Sequence, residues 1–507
     1  MEIASASLWL HGFGEVFSLN NLMFLILGTL LGMIVGVLPG IGPNFGVALL
    51  LPMTFTMPPA TAIIFLCSVH AATAYGDSIA SILINVPGGG GSVPACWDGH
   101  PLSKQGRGGL ALGLSATASL TGGVVSWFFM VLFSPLLVAF ALKLGPPEIF
   151  MVALLALSML AVAVKGNTIK GMIMACIGLM LSFIGMDEMT GLYRYTFGIP
   201  YLEDGIDLIP VVVGMFAMAE VYTMVNEGDL TGKLTKVQDK AFDAVKLAFK
   251  NYKSLIRGVM TGVWMGILPA LGINAASMSA YLLEKQSAKD KADQDSFGKG
   301  NPKGVIAPEG AKGACVIGDL VPTFTLGIPG SGSAALLMAA LIVHGLRPGP
   351  DFFQGDFPYI VFAGILIAQF SYFLVGIFTA KYWAKIIQFP VAVLAPAIAV
   401  IAFVGVFADN NRLEVAIVLS VFGFIGYFMN KYDYPAAALI LGLVLGNLVE
   451  SNFSRSMMLS KGSYSWAYMR PITLVLLIIT IASFAWPWVK GFFIWVRGRG
   501  KEGLKAD

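Results

Sequence analysis

Long stretches without a charged residue set the pattern of this chain. Residues 16–76 contain no Asp, Glu, Lys or Arg, and neither do 108–142, 149–164, 171–186, 208–219, 258–283, 320–346, 357–380, 386–408, 415–430, 434–449 and 471–489. A helix crossing the hydrocarbon layer needs about 20 apolar residues. The longest stretches therefore hold two elements each, while the shortest borrow flanking residues or stop part-way. The pattern predicts an all-α, polytopic integral membrane protein of roughly 12 to 14 membrane elements. Composition agrees: 57% of the 507 residues are hydrophobic and 12% are charged, where a soluble domain carries about 25% charged residues.

The positions of the basic residues predict orientation. Lys233, Lys236, Lys240, Lys246, Lys250, Lys253 and Arg257 cluster between the halves, and Lys490, Arg497, Arg499, Lys501 and Lys505 mark the C-terminal tail. Both are expected on the cytoplasmic side. The leading segment has Glu2 and Glu15 and no Lys or Arg, so it is expected outside, and a cleaved signal peptide is not expected. The loop 285–304 carries five lysines and reads as a mobile, solvated connection that could meet anionic lipid. Its cytoplasmic placement requires 258–283 to turn back rather than cross. A net charge of +3 gives no case for nucleic acid, and Cys67, Cys96, Cys176 and Cys315 are too dispersed for a zinc or disulfide framework.

The chain repeats itself at its breaks. Gly32, Gly36, Leu38, Pro39, Gly42 and Asn44 match Gly262, Gly266, Leu268, Pro269, Gly272 and Asn274 at one constant offset. Further on, Asp77 and Asp319 are each followed after ten residues by Pro-Gly-x-Gly, beginning at Pro87 and Pro329. This divides the chain into a first membrane repeat (1–225), a basic cytoplasmic linker (226–253) and a second repeat with a basic tail (254–507), expected in inverted topology. Pro removes a backbone donor and Gly admits irregular dihedrals. Groups freed in this way survive in a membrane only where protein or a polar cavity satisfies them. Paired broken helices in corresponding halves point to a transporter site near the bilayer midplane.

Candidate residues follow from those motifs. The turns Pro87, Gly88, Gly89, Gly90 with Ser92, and Pro329, Gly330, Ser331, Gly332, Ser333, offer backbone N–H groups and hydroxyls at half-helix starts, a substrate site for anions. The competing reading is glycine for tight helix packing. The breaks Pro39, Gly40, Gly42, Asn44 and Pro269, Gly272, Asn274 supply carbonyls and amide oxygens suited to coupling Na+, with Na+ possible at Asn44 and Asn274; the Asn residues could equally cap half-helices. Asp77 and Asp319 are costly intramembrane carboxylates, candidates for binding a cation or carrying a proton. Lys312 and Arg347 could neutralise substrate, but read better as snorkelling interfacial residues; Lys312 could pair with Glu309, and only loosely with Asp319. Asp98, His100, Lys104 and Arg107 read as a short polar loop at a membrane face, either a gate, a subunit contact or simply solvated. His70 and His344 read as packed, hydrogen-bonded residues rather than proton shuttles.

At these motifs the sequence resembles the large membrane subunit of the tripartite tricarboxylate transporters, the TctA family. The matching stretches are GVLPGIGPNFGVALLLP (36–52), DGHPLSKQGRGGLALG (98–113), TGLYRYTFGIPYLEDGID (190–207), APEGAKGACVIGDLVPTFTLGIPGSGSA (307–334) and HGLRPGP (344–350), within a likeness from about residue 20 to about 460. The resemblance implies a permease of the bacterial inner membrane working with a small four-helix membrane subunit and a periplasmic solute-binding protein. It implies uptake of carboxylates, citrate among them, driven by a Na+ or H+ gradient with no other cofactor. The absence of a GxxxxGK[ST] phosphate loop agrees with that energy source. Three places depart from the family pattern: Pro269-Ala270 for Pro-Gly, Gly313-Ala314 preceded by Lys312 for Asn-Ala, and Gly76-Asp77-Ser78 for Gly-Gly-Ser. A symporter without a periplasmic partner is the alternative. A membrane enzyme or a passive channel finds little support: no nucleophile–base constellation or HExxH motif is visible, and interior charge is scarce.

Overall fold

The structure, a computed structural model, describes residues 6–163, 168–187, 189–228, 239–268, 271–387, 389–410 and 412–485. Among them, eight helices are long and apolar enough to span a membrane, and shorter apolar helices lie at Pro146–Met159, Thr168–Ser182, Gly332–Val343 and Pro471–Ala485. The all-α expectation holds. The one sheet among the described residues pairs Gly185–Met186 with Tyr193–Arg194. Pro269, Lys233 and Lys236, and the basic tail with Lys490, Arg497, Arg499, Lys501 and Lys505, lie outside the described residues.

The chain divides into two compact units, each drawn from both halves: residues 1–142 with 207–431, and 143–206 with 432–507. In the larger unit two helices are buried almost end to end, Pro59–Ile84 and Lys303–Gly318. Each is packed by a glycine-striped neighbour. Gly28, Gly32 and Gly36 of the Leu19–Val37 helix face Phe65, Val69 and Thr73; a methyl group on Gly32 would lie 2.8 Å from the Val69 carbonyl oxygen. Gly258, Gly262 and Gly266 of the Tyr252–Ile267 helix face Ala307, Ala311 and Cys315 in the same way. Small residues at these positions let backbones approach closely, the usual basis of helix association in lipid.

The breaks fall where the motifs predict them. Leu19–Val37 ends at an extended Leu38, Gly40 takes φ +83°, and a new helix starts at Pro43, where a missing N–H costs nothing. Tyr252–Ile267 likewise ends at an extended Leu268, and Gly272 takes φ +66°. The two aspartate-bearing segments also end alike, in left-handed residues: Asn85 at φ +61° and Gly327 at φ +67°, each two residues before the proline of its glycine-rich turn. Asn and Gly are the residues that take this conformation at least cost.

Two readings of polar segments are corrected. Asp98 and His100 belong to the Val93–Leu102 helix, and both are buried. The segment 285–304 is anchored rather than mobile. Asp98 Oδ1 accepts from the amides of Gly298 (2.9 Å), Gly300 (2.9 Å) and Asn301 (2.7 Å), while Asp98 Oδ2 accepts from the Tyr281 hydroxyl at 2.9 Å. Gly298 and Gly300 have φ +84° and +100°, the geometry that turns these amides onto one oxygen. Lys303 Nζ bonds Asp293 at 2.7 Å, which holds that carboxyl below its ordinary range. From the interhelical linker, Asp239 accepts from the amides of Gly109 (2.5 Å) and Leu110 (2.7 Å) and so satisfies the first turn of Gly108–Ala141.

In the smaller unit, Gly178 of Thr168–Ser182 meets Gly442 of Ala436–Leu459; a methyl on Gly442 would lie 3.0 Å from the Gly178 Cα. Glu148, 4% exposed, is held by Arg470 (2.6 Å), the Thr473 hydroxyl (2.7 Å) and the Gly145 amide (2.9 Å). Arg194 makes a bidentate pair with Glu450 at 2.5 and 3.0 Å.

Asp98→Ala removes the acceptor of three backbone amides at once, worth about 3 kcal/mol or more for bonds to a charged group. The segment is expected to open locally, with trypsin cutting at Lys291 and Lys299 about tenfold faster or more than in the unaltered protein. An unchanged cleavage rate would show that the anchor carries no weight.

Candidate substrate and ion site

Each glycine-rich turn folds back on the aspartate that precedes it. A methyl on Gly88 would lie 2.6 Å from the Asp77 Cβ, and one on Gly330 would lie 2.8 Å from the Asp319 Cβ. No side chain fits at either place without displacing backbone. Each turn then meets an asparagine from the other half. Gly90 packs on the Asn274 side chain, its methyl position 2.7 Å from the Asn274 Cγ, and Gly332 packs on Asn44, 3.2 Å from the Asn44 Cγ. The first break also touches the first turn directly: the Gly40 amide donates to the Pro87 carbonyl at 3.2 Å, and a methyl on Gly89 would lie 3.3 Å from the Gly42 Cα. The broken segments and the glycine-rich turns are thus brought together inside the larger unit. Gly91, Ser92, Ser331, Gly332 and Ser333 are buried there.

The hydroxyls in the turns are already engaged. Ser92 Oγ donates to the Gly89 carbonyl (2.8 Å) and accepts from the Gly89 amide (3.2 Å). Ser331 donates to Asp319 Oδ2 at 2.5 Å, caps the Gly332–Val343 helix through the Ala334 amide (3.1 Å), and lies 3.1 Å from the Ser333 hydroxyl. In the first turns after Gly90 and Gly332, the Ser92 amide is taken by the Gly89 carbonyl (3.0 Å), the Ala334 amide by the Ser331 hydroxyl and the Ala335 amide by the Ser331 carbonyl (3.0 Å).

Two buried charge clusters flank the turns. Lys312, fully buried, bonds Asp77 Oδ1 at 2.8 Å, Glu309 Oε2 at 3.1 Å and the Ser78 hydroxyl. Glu309 also accepts from Ser78 (2.7 Å) and Ser115 (2.6 Å). Lys312 is therefore neither an interfacial snorkel nor a partner of Asp319. The helical pair with Glu309 is present, but the stronger partner comes from the Pro59–Ile84 helix. Asp319 faces His70, whose Nε2 lies 3.7 Å from Asp319 Oδ1 and 3.1 Å from the Val316 carbonyl. Asp77 Oδ2, Asp319 Oδ1 and His70 Nδ1 are buried without a hydrogen-bond partner among the described residues. Buried polar groups of this kind are expensive in a membrane-spanning chain.

Sequence reasoning missed Ser78, Ser115 and the opposition of His70 to Asp319. A signal was present: His70 stands seven residues before Asp77, as Lys312 stands seven before Asp319. Arg347 is exposed and lies outside these clusters. His344 Nε2 lies 3.3 Å from the Thr54 hydroxyl. Asn44 and Asn274 each lie against the opposite turn, and no group of three or more His, Cys, Asp or Glu side chains that could hold a metal ion occurs among the described residues.

Comparison with known proteins places this site in context. Residues 22–441 match the tripartite tricarboxylate transporter TctA family. An uncharacterized 52.8 kDa protein in the TAR-I ttuC' 3'region of Agrobacterium vitis is 33% identical over 483 residues, covering 93% of this chain and 94% of that protein. An uncharacterized protein in the TAR-II ttuC' 3'region of the same organism is 33% identical over 223 residues, covering 43% of this chain and 89% of its own length. With breaks, glycine-rich turns and buried carboxylates gathered in a multi-pass helical membrane protein, and a match over most of its length, this chain belongs to the TctA family of tripartite tricarboxylate transporters.

Proposed function

We propose that this chain is the translocating permease of a secondary transporter for small di- or tricarboxylates. It works by alternating access, coupled to a Na+ or H+ gradient, in the bacterial inner membrane. A small four-helix membrane subunit and a periplasmic solute-binding protein complete the system. The observation that carries this reading is the crosswise packing of the turns: Gly90 on Asn274 and Gly332 on Asn44. Two half-helix starts converging in this way present backbone N–H groups to a carboxylate without a fixed cation. The buried Asp319 beside the second turn supplies a place for the coupling ion to bias the turns.

The matched contacts also support two related halves, residues 1–225 and 254–507, joined by the linker 226–253. Matched glycines meet matched partners, matched helices end in left-handed residues, and each half contributes to both compact units. Inverted topology, with the N-terminus periplasmic and the C-terminus cytoplasmic, fits the distribution of lysines.

Uptake of labelled citrate and of a dicarboxylate panel into vesicles, with both partner subunits present and an imposed Na+ or H+ gradient, tests the reading; no carboxylate taken up under either gradient would sink it. Gly88→Val and Gly330→Val are each expected to reduce uptake to background while the protein still inserts, because the added side chain strikes the aspartate backbone. Normal transport by either variant would remove the turns from the site. Asp319→Asn is expected to lower gradient-driven accumulation by about tenfold or more while substrate exchange at equal ion concentrations continues. Unchanged accumulation would show that this carboxylate plays no part in coupling.

A further inference from the structure

The two matched aspartates do not stand in matched surroundings. Asp319 faces a histidine at 3.7 Å and a serine hydroxyl. Asp77 instead holds an ammonium group. Lys312 Nζ sits among Asp77 Oδ1, Glu309 Oε2 and Ser78 Oγ, an all-oxygen shell on side chains with no exposure. Oxygen shells of this kind are what small hard cations require. Asp77 Oδ2 is buried, has no hydrogen-bond partner among the described residues, and faces Gly89, whose methyl position lies 3.0 Å away. Beside Lys312, a cavity of about 10 Å³ lined by Tyr75, Ser119, Gln369 and Tyr372 has room for one water. Two carboxylate groups, a hydroxyl and a water would complete the coordination of a monovalent ion if the ammonium were absent.

We propose that Lys312 is a built-in cation occupying a monovalent-cation site formed by Asp77, Ser78 and Glu309. The first carboxylate site is therefore permanently filled, and exchange of a coupling cation is left to Asp319. A tethered ammonium cannot dissociate, so Asp77 and Glu309 keep one shared positive charge between them through every step of the cycle. Replacing Lys312 by an uncharged residue leaves two buried carboxylates facing each other, a severe loss unless another cation enters. The proposal rests on reading Asp77 as a cation-handling residue in the transport site. Its test needs no transport, so a failure to carry carboxylates and a failure here are separable.

The experiment is thermal unfolding of the full-length protein in detergent, in sodium chloride against choline chloride at equal ionic strength. Lys312→Met is expected to melt higher in sodium than in choline, by about 2 °C or more beyond any difference in the unaltered protein. Lys312→Met/Asp77→Asn is expected to lose that added difference while remaining folded in both salts. Recovery of folded Lys312→Met from sodium but not from choline would support the proposal in the same sense. Equal melting of Lys312→Met in the two salts, failure to recover it from either, or persistence of the sodium effect in the double variant would overturn it. Lys312 would then be a structural ion-pair partner only.

Discussion

A polypeptide in lipid cannot leave its peptide groups without partners, and this constraint organises the larger unit. Each unsatisfied group in hydrocarbon costs several kcal/mol. A helix broken at Pro39 or before Gly272, or turned at Pro87 or Pro329, is admissible only where other protein or a polar cavity satisfies the freed groups. Here the contacts are reciprocal. The first turn lies on its own aspartate and on Asn274, and the second lies on its own aspartate and on Asn44. The glycine stripes on Leu19–Val37 and Tyr252–Ile267 serve the same end, bringing each flanking helix against the backbone of a central one. Glycine is needed because the neighbour at each contact is backbone, which cannot move aside.

The polar groups so enclosed are few, and each is tied to a particular helix. Pro59–Ile84 supplies His70, Asp77 and Ser78, and Lys303–Gly318 supplies Glu309 and Lys312, with Asp319 at its end. The partners cross between these helices: Lys312 with Asp77, and His70 with Asp319. One pair has a permanent cation, the other a group that is charged only when protonated. A fixed charge pair can hold the two central helices together, while Asp319 Oδ1 has no hydrogen-bond partner among the described residues. The smaller unit shows a simpler use of charge, with Arg470 on Glu148 and Arg194 on Glu450 joining segments distant in the chain.

Much of this was legible from residue order alone. Charge-free stretches gave the helical membrane class, because lipid admits little else. Gly and Pro gave the breaks, because their effect on backbone geometry is local and independent of neighbours. Constant spacing paired Asp77 with Asp319 and Asn44 with Asn274. The tertiary structure alone decided which groups meet. Lys312 reads in sequence as a cation near an interface or two turns from Asp319, yet it bonds an aspartate 235 residues away. Asp98 and the glycines of 298–300 read as two exposed loops until their amides and carboxylate are placed together. The reason is physical: dihedral preference and solvent choice are written in short stretches of chain, whereas the partner of a buried charge is fixed only when helices far apart in sequence have packed.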